Sequence, residues 1–85
     1  MAKVEIYTGA LCGYCSAAKR LLGQKGVDFT EIKVDGDPAK RQEMMTRAHG
    51  GRTVPQIFIN DMHIGGCDDL YELERAGKLA TLLAA

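Results

Sequence analysis

Two cysteines separated by two residues stand between a predicted strand and a predicted helix. The motif Cys12-Gly13-Tyr14-Cys15 follows a β-branched and aromatic run at residues 4–7. After it, apolar residues recur at helical spacing: Ala17, Ala18, Leu21 and Leu22. Residues three apart at a helix start share a face, so one tight turn brings the cysteine Cβ atoms to the roughly 3.5–4.5 Å of a disulfide. Because a helix N-terminus also favours thiolate over thiol, the motif predicts a nucleophilic, reversibly oxidised sulfur at Cys12.

Length and composition indicate one small folded domain, residues 1–85. The chain has 85 residues, 46% of them hydrophobic, and a formal net charge of zero. We therefore expect no nucleic-acid or membrane partner, and no apolar run approaches the ~18 residues of a membrane-spanning helix. The start of the chain lacks a signal-peptide pattern, so a cytoplasmic location is expected. Three cysteines are an odd count, which disfavours a secreted disulfide framework and leaves redox catalysis or metal binding.

Strand and helix patterns alternate in the first half of the chain. A first strand is predicted at residues 3–7, a first helix at 13–24 and a second strand at 27–34. This is the size of a βαβ unit, which implies parallel strands joined by a right-handed crossover. Asp37 suits an N-cap and Pro38 a first helical position, so a second helix follows. This helix is predicted to end near residues 49–51 with three residues facing inward: Met44, Met45 and Ala48.

The second half of the chain begins with Thr53-Val54-Pro55 and an apolar run. Pro55 donates no ladder hydrogen bond, so it should lie at the entry of a third strand. The run behind it carries apolar side chains on both faces, which is typical of a strand covered on both sides: Ile57, Phe58 and Ile59. Asn60-Asp61 then predicts a hairpin turn into a short fourth strand at residues 62–64.

A third helix is predicted to open at Cys67-Asp68-Asp69, where the two carboxylates suit the positive end of the helix. Its buried positions are expected at Leu70 and Leu73. Gly77 separates it from a short helical tail with three leucines: Leu79, Leu82 and Leu83.

Three motifs in this order resemble those of the glutaredoxins, in particular the small bacterial dithiol type. They are Cys-Gly-Tyr-Cys at 12–15, Thr-Val-Pro at 53–55 and Gly-Gly-Cys-Asp-Asp at 65–69. The resemblance covers essentially the whole chain. It implies an α/β, thioredoxin-like fold in which three main helices and a short C-terminal helical tail flank a four-stranded mixed sheet.

The resemblance also implies an activity, that of a glutathione-dependent thiol–disulfide oxidoreductase. Such an enzyme reduces protein disulfides and glutathione mixed disulfides, with glutathione as co-substrate. By position, Cys12 is the implied nucleophile and Cys15 the resolving thiol. The implied partners are glutathione and disulfide-containing or glutathionylated proteins, and a monomer is expected.

A glutathione groove is implied at seven further positions: Tyr14, Thr53, Val54, Pro55, Gly66, Cys67 and Asp68. The Val54–Pro55 bond is expected to be cis, which places the Val54 backbone beside the sulfurs to pair with an extended peptide. The bare helix N-terminus at Gly66 suits a carboxylate of the ligand, while Asp68 suits its ammonium group. None of these residues is assigned as a metal ligand.

Two positions depart from the family pattern. Gly13 stands where the family often has proline, and Gly9 stands where a lysine is common three residues before the nucleophile. The second departure removes a cation that favours the thiolate and contacts a glutathione carboxylate. Arg52 and Lys19 are the candidates to compensate for it.

Alternatives to the dithiol reading remain open. In one alternative the cysteine pair supplies half of a tetrahedral zinc site, for which the remaining candidate ligands are Cys67, His49 and His63. Gly13 is compatible with a cluster-binding glutaredoxin, in which two subunits and glutathione thiolates hold a [2Fe–2S] cluster. A thioredoxin-like reductant that does not use glutathione is a third reading. Cys67 is interpreted as a small buried residue or as a regulatory thiol.

Overall fold

The computed structural model describes residues 2–85 as eight secondary-structure elements. In chain order they are β1 (Val4–Thr8), α1 (Gly13–Gln24), β2 (Thr30–Lys33), α2 (Pro38–Arg47), β3 (Gln56–Ile59), β4 (Met62–Gly65), α3 (Cys67–Arg75) and α4 (Leu79–Ala84). The predicted order of strands and helices is confirmed, and the predicted first helix has the observed bounds.

The four strands form one mixed sheet in the order β2-β1-β3-β4. β1 and β2 are parallel, as the βαβ pattern predicts, while β3 is antiparallel to both β1 and β4. Asn60 and Asp61 both have positive φ in the turn between β3 and β4, a conformation that asparagine and aspartate tolerate better than most residues. The loops after β1 and before β3 meet at one end of the sheet, where Cys12 contacts Val54.

β2 is shorter than the apolar pattern predicts, whereas β3 begins where Pro55 predicts. β2 begins at Thr30, because residues 27–29 run outside the ladder after the left-handed turn at Gly26. Val27 and Phe29 still pack against the core, which explains why the pattern extends beyond the strand. β3 begins at Gln56, directly after Pro55, so the Thr53-Val54-Pro55 segment is free to line the site.

The core has one apolar layer on each face of the sheet, and β3 contributes to both. Ile57 and Ile59 pack with α1, α3 and α4, whereas Phe58 packs with Tyr7 and Met44 beneath α2. The expected placement of apolar side chains on both faces of this strand is therefore confirmed. Of the other predicted inward positions, Met44, Ala48 and Leu70 are buried, while Met45 and Leu73 are half-buried.

Candidate active site

Cys12 is the N-cap of α1, and its sulfur lies at the positive end of the helix. The backbone N–H of Cys15 donates a hydrogen bond to Cys12 Sγ over 3.1 Å. The first N–H groups of a helix have no partner within the helix, so this contact satisfies one of them and orients the sulfur. Cys12 is half-buried, whereas Leu11 before it has a positive φ of 54° and a fully exposed side chain. The nucleophile predicted from the sequence is thus partly exposed where the loop after β1 joins α1.

Cys15 lies one turn further along α1 and is buried, with 2% relative exposure. Burial, together with the hydrogen bond to Cys12, raises the pKa of the Cys15 thiol to about 11. Cys15 is therefore a neutral thiol in the reduced protein at neutral pH. The two sulfurs differ in accessibility in the way that a nucleophile and a resolving thiol require.

The segment before β3 approaches Cys12 from the side. The Val54–Pro55 peptide bond is cis, as expected, and the Cys12 thiol points at the Val54 carbonyl oxygen over 3.7 Å. Pro55 is buried, while Thr53 is exposed. The backbone of Val54 is consequently adjacent to the reactive sulfur.

The start of α3 forms the far end of the same surface. Gly66 is the N-cap, and its N–H donates to the Asp69 carboxylate over 2.9 Å. Gly65 before it has a φ of 119°, and a Cβ at this position would overlap the Asp69 side chain. A glycine is required here because any larger residue would displace the carboxylate that closes the helix start.

The start of α1, the segment before β3 and the start of α3 line a cavity of about 500 Å³, which we call the groove. All seven predicted binding positions line it: Tyr14, Thr53, Val54, Pro55, Gly66, Cys67 and Asp68. Four lining residues were missed: Gln56, His63, Gly65 and Asp69. A polar glutamine within an apolar strand was the available signal for Gln56. Gly65 and Asp69 lie within the Gly-Gly-Cys-Asp-Asp motif, whereas His63 is brought to the groove by the pairing of β3 with β4.

Gln56 and His63 brace the wall of the groove. Gln56 is buried, and its amide nitrogen donates to the Thr53 carbonyl and hydroxyl oxygens over 3.0 and 3.3 Å. Its amide oxygen lies 2.7 Å from His63 Nε2, and the His63 ring stacks on Phe58. Burial lowers the pKa of His63, and the neighbouring charge of His49 lowers it further. His63 thus contacts Gln56, which in turn binds Thr53.

A second cavity of about 570 Å³, which we call the rear cleft, is lined by both Cys12 and Cys15, neither of which lines the groove. It is bounded by the end of β1, the start of α1 and β2, and shares no lining residue with the groove. Lys19 lies in it and forms an ion pair with Glu31 at 3.0 Å. From the sequence, Lys19 was a candidate cation near Cys12, but this cleft was not predicted, because no local motif joins α1 to β2.

The two departures from the family pattern have different surroundings. A Cβ on Gly13 would meet no atom within 4 Å, so the position has room for a side chain. A Cβ on Gly9 would lie 3.2 Å from both the Asp35 carboxylate and a Val54 methyl group, which is tight. Of the two candidate cations, Lys19 is in the rear cleft, whereas Arg52 is exposed and its carbonyl oxygen accepts a bond from Arg41.

Cys67 packs into the core at the start of α3 and has 7% relative exposure. Burial raises the pKa of its thiol, and the charges of Asp68 and Cys12 act in the same direction. This environment favours the neutral thiol and fits the interpretation of Cys67 as a small buried residue. Across residues 2–85, the structure gathers no group of three His, Cys, Asp or Glu side chains that could hold a metal ion.

Comparison with known proteins places this arrangement in a family. The model of the family described as Glutaredoxin matches residues 4–64. The chain belongs to the glutaredoxin family. Glutaredoxin of Pseudomonas aeruginosa is 59% identical over 85 residues, which cover both chains completely. Glutaredoxin 3 of Escherichia coli is 59% identical over 83 residues, covering 98% of this chain and 99% of that protein. This glutaredoxin is therefore a thiol–disulfide oxidoreductase.

Solved structures show the same fold. The buckwheat glutaredoxin–glutathione complex has a TM-score of 0.87 and 36% sequence identity, covering 98% of this chain and 77% of that one. The thioredoxin-like fold expected from the sequence is confirmed for this glutaredoxin. Among its described helices, none is both long and apolar enough to cross a membrane.

Proposed function

We propose that this protein catalyses glutathione-dependent thiol–disulfide exchange through the Cys12–Cys15 dithiol. The observation that carries the proposal is the groove, since the seven predicted positions from three separate stretches of the chain line one cavity beside Cys12. Its backbone edge at Val54 suits an extended peptide, and the α3 N-terminus suits a carboxylate. The buckwheat protein of similar fold was solved as a glutathione complex, which supports glutathione as the ligand.

The reaction proceeds through a mixed disulfide at Cys12. With a glutathionylated protein, the Cys12 thiolate attacks the glutathione sulfur, and the protein leaves as a thiol. A second glutathione thiolate then attacks the mixed disulfide, so that oxidised glutathione leaves and the Cys12 thiolate is regenerated. With a protein disulfide, Cys15 displaces the substrate from Cys12, and two glutathione molecules reduce the resulting Cys12–Cys15 disulfide.

Within the groove, charge complementarity orients the peptide. The α3 N-terminus offers N–H groups and a partial positive charge to the γ-glutamyl carboxylate. Asp68 is exposed at the first turn of α3 and suits the ammonium group of the same residue. Tyr14 is 68% exposed in the groove, and we expect it to pack beside the bound thiol.

The proposal is tested by comparing two electron donors. Reduction of a small glutathione mixed disulfide is measured with glutathione and, separately, with a thioredoxin reductase. We expect turnover with glutathione, and turnover by the reductase alone would show that glutathione is not the reductant.

Two variants test the residue roles in the same assay. Cys12→Ser is expected to abolish turnover, because it removes the accessible sulfur. Cys15→Ser is expected to retain turnover of the glutathione mixed disulfide, because that route uses Cys12 alone, and to lose reduction of protein disulfides. Activity in Cys12→Ser would contradict the assignment of the nucleophile.

A further inference from the structure

Lys19 and Cys15 share a face of α1 inside the rear cleft. They are four residues apart in the helix, so their side chains are neighbours on its surface, and both line this cavity. Lys19 is half-buried rather than extended into solvent. A cation is thus placed on the side of the buried sulfur that faces away from the groove.

The Lys19 ammonium group is held in position by the sheet. Its Nζ lies 3.0 Å from Glu31 Oε2, and the same oxygen accepts a hydrogen bond from the Thr8 hydroxyl over 2.7 Å. Thr8 is buried at the end of β1, beside the parallel strand β2 that carries Glu31. These contacts restrict the Lys19 side chain, which would otherwise sample many rotamers.

We propose that Lys19 is a positioning residue for the resolving step, in which its ammonium group stabilises the Cys15 thiolate. The inference rests on the proposed function, in which Cys15 resolves the mixed disulfide. Cys15 first loses its proton to water in the rear cleft. Its sulfur then attacks Cys12 Sγ, the Cys12–Cys15 bond forms, and the bond from Cys12 to the substrate breaks. The substrate sulfur leaves as a reduced thiolate and takes up a proton.

The charges around Cys15 favour this assignment. Burial and the contacts with Cys12 raise the Cys15 pKa, whereas the Gly9 backbone and the Lys19 charge lower it. In the mixed disulfide Cys12 carries no charge and no thiol proton. The rise in the Cys15 pKa that burial causes is then opposed mainly by the Gly9 backbone and the Lys19 charge. The other charged groups lining the rear cleft are Glu31, Lys33 and Asp35. Hydrogen bonds from Thr8 and Lys19 lower the pKa of Glu31, so it stays a carboxylate that binds Lys19 and is a weak base toward a thiol.

The test separates the attack of Cys12 from the ring closure by Cys15. Reduced protein is mixed rapidly with one equivalent of dithiobis(nitrobenzoate), a disulfide whose thiolate is coloured. The first release of colour reports attack by Cys12, and the second reports ring closure by Cys15. Lys19→Met is expected to slow the second phase roughly 3–10-fold at neutral pH and to move its pH profile upward, because the lost cation disfavours the thiolate. Lys19→Arg is expected to restore the rate.

A matched control is Lys33→Met, which removes an exposed cation from β2 on the same cleft and is expected to leave the second phase unchanged. Equal second phases in Lys19→Met and Lys33→Met would overturn the inference. So would an equal slowing of both phases without a change in pH profile, which would indicate a structural role.

Cys15→Ser distinguishes failure of the inference from failure of the proposed function. If it loses the second phase while Lys19→Met does not slow it, the resolving role stands and the inference is wrong. If Cys15→Ser keeps the second phase, the resolving role is wrong and the inference falls with it.

Discussion

Gly65 illustrates how a single backbone position shapes the site. It combines a left-handed φ with close contact to Asp69, whose carboxylate accepts the Gly66 N–H at the start of α3. Since α3 presents its N-terminus to the groove, the conformation of Gly65 affects both folding and the shape of the groove. A conservative substitution here acts on both.

We predict that Gly65→Ala lowers the free energy of unfolding by roughly 2–4 kcal/mol, since alanine is strained at this φ and its Cβ displaces Asp69. Weaker glutathione binding by the folded fraction is also expected. Urea unfolding and a binding titration measure the two effects.

The matched control for this prediction is Gly23→Ala. Gly23 lies in α1, and a Cβ there meets no atom within 4 Å. The free energy of unfolding of this variant should be higher by about 0.5–1 kcal/mol, because alanine is the better helix former. If the two alanine variants were equally stable, the argument from φ and contact at Gly65 would be wrong.

At the scale of elements, Arg47 fastens the C-terminal end of α2 to the sheet. Its guanidinium nitrogens lie 2.9 Å from Glu5 and from the Tyr7 hydroxyl group, and its Cζ lies 4.1 Å from the Phe58 ring centroid. A single side chain thus connects α2 with β1 and β3. The guanidinium lies over the Phe58 ring and uses its N–H edges for the hydrogen bonds, an arrangement that a lysine ammonium group cannot reproduce.

Arg47→Met is predicted to lower the free energy of unfolding by roughly 2–3 kcal/mol, because it removes partly buried hydrogen bonds and a cation–π contact. Urea unfolding at neutral pH measures this change. Arg75→Met is the comparison, since Arg75 pairs with Glu72 on the surface of α3 and should change stability by no more than about 0.5 kcal/mol. Equal losses in the two variants would contradict the structural importance of the Arg47 contacts.

Local patterns were sufficient to predict most elements. Periodicity, the Asp37-Pro38 start and the Asn60-Asp61 turn act between residues close in sequence, so the order and type of the elements follow from them. The exact ends of β2 were not predictable, because its length depends on pairing with β1. The contacts of Arg47 with Glu5 and of Lys19 with Glu31 join residues distant in sequence and have no local signature.

The same distinction applies to the site. Its groove was predicted from motifs at three separate stretches, and the fold brings those stretches together. By contrast, the place of His63 in the groove became recognisable through the pairing of β3 with β4, and the rear cleft through the packing of α1 against the β1–β2 edge.

For the whole molecule, buried thiols couple acid–base chemistry to folding. The folded-state pKa of Cys15 is raised from 9.0 to about 11, so the unfolded chain ionises first as pH rises. Ionisation of the unfolded state favours unfolding, and the stabilising effect is complete below pH 9 and lost as pH rises toward 11.

We predict that the reduced protein loses about 1–3 kcal/mol of unfolding free energy over this interval because of Cys15. The measurement is urea unfolding as a function of pH, with Cys15→Ala compared at each pH. The variant should lack this part of the decline, while Cys67 contributes equally to both proteins and cancels in the difference. Parallel curves for the two proteins would show that Cys15 is not the responsible group.

The exposed, left-handed Leu11 has a consequence for how this protein tolerates mutation. A bulky residue in that conformation costs roughly 1–2 kcal/mol, and a fully exposed side chain recovers none of it by burial. Folding therefore gives no reason for leucine beside Cys12, and a protein with glycine or asparagine there should be more stable. In a saturation library at position 11, we expect glycine and asparagine to rank above leucine in thermal resistance. If the same library is ranked by turnover and leucine is retained, the two rankings will differ. Position 11 therefore allows selection for turnover and selection for thermal stability to be measured separately.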